Sequence, residues 1–159
     1  MKAVTWDEST VVNLQLWDVA GHERFGTMTR VYYKYAIAAI IVFDLQRPAT
    51  FEAVLKWRED VNSKVVLANE EPIPCLLLAN KCDVPGVQVD EEMLDRFCNE
   101  HNFIGWFKTS AATNTNIDEA MKLLISRILD VAKNNALPEG DENVVELGKA
   151  AEEKASKCC

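Results

Sequence analysis

Two short runs constrain the fold of this chain more than any other feature: Ala36 to Leu45 and Ile73 to Ala79 are almost wholly apolar, without alternation. A strand with one wet face alternates with a period of two. A run that is apolar on both faces is therefore a strand covered on both sides, as in a parallel sheet between layers of helices. Phe103 to Thr109 adds a third, shorter strand. Val11 to Asp18 does alternate and follows a turn cluster, Asp7-Glu8-Ser9, so Lys2 to Trp6 and Thr10 to Trp17 are expected to form a hairpin.

Helical patterns fill the intervals. Phe51, Val54, Leu55 and Val61 recur at near-helical spacing behind Thr50, whose hydroxyl can cap the first turn. Asp90 to His101 is a second helix, and Ile117 to Lys133 a third, with Ile117, Ala120, Met121, Leu124, Ile125, Ile128 and Leu129 on one stripe. Asn116 followed by Glu119 has the form of a capping box. Strands alternating with helices define a doubly wound α/β sheet, whose ligands bind in loops at the carboxyl ends of the strands.

Composition narrows the function. With 48% hydrophobic and 26% charged residues the chain has the balance of one globular domain, and a net charge of -8 gives no electrostatic reason to bind nucleic acid. The five cysteines include no CxxC pair, which argues against structural zinc and a disulfide framework and for a reducing cytosol. Ala36 to Phe43, the longest apolar stretch, is far short of the roughly 18 residues of a spanning helix, and no basic segment followed by an apolar core opens the chain. From Asn134 onward the composition cannot bury enough apolar area to offset its ordering entropy, so residues 134–159 read as a tail.

Three motifs stand at predicted strand ends. In Trp17-Asp18-Val19-Ala20-Gly21-His22-Glu23, Asp18 can hold Mg²⁺ directly or through water, and Gly21 lets a backbone amide approach a terminal phosphate. In Asn80-Lys81-Cys82-Asp83, the Asp83 carboxylate can accept two hydrogen bonds from adjacent N–H donors on a guanine edge, a pair adenine lacks, while the Lys81 stem lies along the ring. Thr109-Ser110-Ala111 can turn backbone amides toward the guanine oxygen. Each alone is also readable as an ordinary polar turn; their order and placement together are not.

With those motifs the chain resembles the Ras superfamily, and in particular the Rab family. The similarity runs through Trp17 to Phe25, Gly26 to Val31, Tyr32-Tyr33 and Ile41-Val42-Phe43-Asp44. Thr50 to Trp57 and Gly105 to Ala111 look most similar to the branch that serves melanosomes and other lysosome-related organelles. The resemblance implies a three-layer, P-loop-NTPase-like small G domain with a mostly parallel sheet over residues 1–133, here without the first strand, first helix and P-loop. It implies a GTP/GDP switch in vesicle traffic that hydrolyses GTP with Mg²⁺. Asn80, Lys81, Asp83, Ser110 and Ala111 would hold the base, Asp18 and Gly21 would serve the phosphate and metal, and Trp17, Phe25 and Tyr32 would meet effectors. Core packing is the alternative for Trp17. The implied partners are effectors, exchange factors, GTPase-activating proteins and the prenylation machinery. Cys158 and Cys159 match the terminal pair that Rab proteins carry for geranylgeranylation, a lipid anchor that would place the protein on the cytoplasmic face of endomembranes (vesicles, lysosome-related organelles, Golgi or mitochondria-associated membranes), cycling with the cytosol.

The chain departs from the family pattern in three ways. No Gly-x-x-x-x-Gly-Lys-Ser/Thr sequence occurs, so nucleotide would bind roughly a thousandfold more weakly than to an intact relative, an estimate from lost charge-assisted hydrogen bonds. That absence leaves open a non-catalytic fragment acting through effector or prenylation-machinery contacts. Either the strands flanking the missing central strand close up, or the chain is a fragment or alternative translation product. His22 stands where most Rab proteins place the glutamine that orients the attacking water, and is either catalytic or a tolerated side chain. Ala112 replaces the lysine that usually follows Ser-Ala in this family.

Overall fold

The computed structural model describes residues 2–19, 36–65, 67 and 71–135. Lys2–Thr5 (β1) and Val11–Leu14 (β2) form an antiparallel hairpin, with Lys2 opposite Leu14 and Thr5 opposite Val11. Asp7 closes its turn by accepting from the backbone N–H and the hydroxyl of Ser9 at 2.9 and 3.0 Å. Ala39–Asp44 (β3), Cys75–Asn80 (β4) and Trp106–Thr109 (β5) form a parallel sheet in the order β3-β4-β5. Its register pairs Ala39 with Cys75, Asp44 with Asn80, and Asn80 with Thr109.

Helices cover both faces of this sheet, and the side chains of β4 show why its sequence does not alternate. Cys75, Leu77 and Ala79 point to one side, where with Ile41 and Phe43 they pack on Val54 of helix α2 (Val54–Lys64) and on Leu94 and Cys98 of α3 (Glu91–Glu100). Leu76 and Leu78 point to the other side, against Ala120, Leu124 and Ile128, which recur every four residues along α4 (Ile117–Asn135). Full burial of a side chain such as Leu76 contributes roughly 1.5–3 kcal/mol. A short helix, α1 (Pro48–Glu52), precedes α2. Its Phe51 ring meets Phe43 at 5.0 Å and Phe97 at 4.8 Å, an aromatic seam joining β3, α1 and α3. These are the three layers expected of the class.

Several local expectations need correction. The residues around Thr50 form two helices broken at Ala53, and the N-cap of α1 is Arg47, with no side-chain cap. The Thr50 hydroxyl instead accepts from the Asp44 backbone N–H at 2.9 Å and donates to the Arg47 carbonyl at 2.6 Å, locking the chain where it leaves β3. Asn116 closes no capping box: at φ 55° its side-chain amide donates to the Lys108 carbonyl at 2.7 Å. The helix expected from Asp90 is capped by that residue, its carboxylate accepting from the Met93 N–H at 2.9 Å, with Glu91 and Glu92 suited to the positive end of the helix dipole. The flanking strands do not close up, since among the described residues β2 pairs only with β1 and β3 only with β4. Val42 on β3 is 55% exposed.

Candidate nucleotide-binding site

Two loops lie side by side at the carboxyl ends of β4 and β5, because those strands end in register at Asn80 and Thr109. The Cys82 N–H donates to the Thr109 carbonyl at 3.0 Å, and the Ala111 N–H donates to Asn80 Oδ1 at 3.2 Å. Asn80 is therefore a strut that ties the first loop to the second. The first loop turns at Lys81, whose φ of 71° lies in the left-handed region, and closes with the Val84 N–H donating to the Lys81 carbonyl at 3.2 Å. Cys82 is half-buried and Asp83 exposed.

The second loop is built around Ser110, which is fully buried. Its backbone pairs with Thr115 in both directions at 3.1 and 3.2 Å, and its Oγ accepts from the Thr113 N–H at 3.1 Å. Asn114 and Asn116 take positive φ, a conformation asparagine tolerates better than most residues, so the loop folds tightly before α4 begins. Asn80, Lys81, Asp83, Ser110 and Ala111 are thus brought together on one side of the sheet.

A third element joins them that the sequence motifs did not flag. Asp44, the last residue of β3, places Oδ2 2.7 Å from Lys81 Nζ, while its Oδ1 accepts from the Gln46 N–H at 2.9 Å. Lys81 holds the Asp44 carboxyl below the usual carboxylate range. The end of the run Ile41-Val42-Phe43-Asp44 signalled a strand terminus but not an ionic partner, because the pairing depends on the β3–β4 register.

Among the other expected site residues, Asp18 is exposed beyond β2, and Trp17 is 60% exposed and so is no core residue. Gly21, His22, Phe25, Tyr32, Cys158 and Cys159 lie outside the described residues. Among the described residues no group of three or more His, Cys, Asp or Glu side chains is placed to hold a metal. Asp18 supplies a single carboxylate, which suits Mg²⁺ because that ion takes one or two protein carboxylates and completes its shell with phosphate oxygens and water. The buried thiols stand apart from this site: burial pushes Cys75 up to about 12 and Cys98 up to about 11.

A parallel sheet between helical layers, with two interlocked loops at its carboxyl edge, defines an open α/β ligand-binding domain. The Ras family pattern matches residues 1–130. Ras-related protein Rab-32B of Dictyostelium discoideum is 66% identical over 161 residues, covering 100% of this chain and 62% of that protein. Ras-related protein Rab-32 of Homo sapiens is 49% identical, covering 100% of this chain and 72% of its own length. Ras-related protein Rab-7L1 of Homo sapiens is 47% identical over 129 residues, with 81% and 64% covered. The chain belongs to the Ras family, among the Rab proteins of the Rab-32 branch.

Proposed function

We propose that this protein is a Rab-type GTP/GDP switch in intracellular vesicle traffic, and that its guanine is held by residues 80–83 together with Ser110 and Ala111. The observation that carries the reading is the pair of hydrogen bonds, Cys82 to Thr109 and Ala111 to Asn80, that locks the two loops at the sheet edge. Asp83 would accept the two N–H donors of the guanine edge, the Lys81 stem would lie along the ring, and the Ala111 amide, which here donates to Asn80, would be shared with the guanine oxygen. A carboxylate has only acceptors, so it selects a base with two adjacent donors.

Mg²⁺, when bound, neutralises charge that develops on the phosphates. Asp18 would hold it through water, Gly21 would give a backbone amide room beside the terminal phosphate, and His22 would position the attacking water. Trp17, Phe25 and Tyr32 present a surface to effectors. Residues 1–133 form the switch domain and residues 134–159 a tail whose Cys158 and Cys159 accept two prenyl groups. Two lipid chains are needed because 139–157 carries more acid than base and cannot add a polybasic anchor. Among the described residues no helix is long and apolar enough to cross a membrane. The protein serves vesicles and lysosome-related organelles.

Competition between GDP, ADP and XDP for the purified chain tests the base assignment. A preference for GDP is expected; equal displacement by ADP overturns it.

A further inference from the structure

Asp44 sits at the end of β3, directly across from Asn80 at the end of β4, where its backbone, its carboxylate and the residue after it are each tied down. The Thr50 hydroxyl grips the Asp44 backbone N–H at 2.9 Å, the Gln46 N–H donates to Oδ1 at 2.9 Å, and the Leu45 N–H donates to the Asn80 carbonyl at 3.0 Å. The remaining oxygen, Oδ2, meets Lys81 Nζ at 2.7 Å. The two partners differ in exposure: the Asp44 side chain is 14% exposed, while that of Lys81 is 47% exposed. The carboxylate is thus the fixed partner and the lysine the one being fixed.

A free lysine side chain samples many rotamers. Anchoring its ammonium on Asp44 removes much of that freedom before any ligand arrives. The left-handed φ of 71° at Lys81 directs the chain through this turn.

We propose that Asp44 is a positioning residue for base recognition: by anchoring the Lys81 ammonium it presets the lysine stem as the platform on which the guanine ring lies. The proposal rests on the guanine reading of residues 80–83. It concerns an uncharged contact with the ring, so it can be separated from phosphate binding by using the nucleoside alone.

The test is titration of the full chain with guanosine and with adenosine, followed by ligand-observed NMR at low and high salt, with thermal unfolding as the check on folding. Asp44→Asn keeps the shape and the Gln46 contact but removes the charge, and is expected to weaken guanosine binding roughly three- to tenfold, with Asp44→Glu recovering part of the loss. Guanosine is uncharged at neutral pH, so a salt response in its binding reports the protein's own ion pair. The native chain should lose affinity with salt, and Asp44→Asn should not. Lys81→Met, which keeps an apolar stem, should lose a similar factor, and the double variant should be no worse than either single one. Native-like affinity in a folded Asp44→Asn chain overturns the proposal. If Asp44→Asn does not fold, a salt-independent native titration or additive losses on a Lys81→Met background with Asp44→Glu overturn it. A native chain that binds guanosine no better than adenosine overturns the guanine reading, and this proposal with it.

Discussion

At the scale of single residues the chemistry is carried by charge, and charge is testable by isosteric substitution. Asp83→Asn turns a pair of acceptors into one acceptor and one donor, and should shift preference from guanine toward xanthine nucleotides in a competition assay. Unchanged selectivity sinks the assignment. The thiols offer a second test. Burial disfavours the thiolate and pushes Cys75 up to about 12 and Cys98 up to about 11 from an ordinary 9.0. Between the ordinary value and these raised ones the unfolded chain binds fewer protons than the folded one, so their contribution to stability is complete below about pH 9 and is lost as pH rises toward 11–12. Unfolding free energy measured by urea titration should fall over that window, and Cys75→Ala should flatten part of the slope. At pH 8, half-buried Cys82 should be labelled by a thiol reagent well before Cys75 or Cys98, as read by peptide mass mapping.

At the scale of elements, the sheet edge depends on how each strand is entered. Gly105 precedes β5 with φ 152°, its carbonyl accepts from the Leu77 N–H at 3.1 Å, and an added Cβ would come 3.3 Å from Leu123 Cδ2. Gly105→Ala should therefore cost about 1–3 kcal/mol through backbone strain. A measured cost near zero would mean the strand entry relaxes freely. α4, which carries Leu123, is packed on the sheet by burial, so Leu124→Ala, at a site 4% exposed, should cost about 2–5 kcal/mol in denaturant unfolding. The exposed pair of Lys108 and Glu91 at 2.5 Å should matter far less, about 0–1 kcal/mol on charge removal.

At the scale of the whole molecule, a ligand that binds only the folded chain must stabilise it. GDP at about 100 times its dissociation constant adds about 2.7 kcal/mol, which for a chain of this size raises the melting temperature by roughly 5–10 °C. ADP should give no comparable shift; an equal shift with ADP would remove guanine selectivity from the account. Much of this molecule was legible from the order of its residues. Uninterrupted apolar runs identified β3 and β4 as doubly covered strands, and the four-residue repeat of Ala120, Leu124 and Ile128 identified the helix that covers one face. Motif spacing placed Asn80 to Asp83 and Thr109 to Ala111 at strand ends, because local pattern and strand period are properties of adjacent residues. Side-chain partners outside the helix or strand period were not legible. Thr50 and Asn116 have the sequence form of helix caps, yet their side chains turn back to Asp44 and Lys108, six and eight residues earlier, across the turns that link strand and helix. The pairing of Asp44 with Lys81 has the same origin: no local pattern links residues 37 positions apart, whereas the β3–β4 register sets their backbones side by side and lets two opposite charges meet at 2.7 Å.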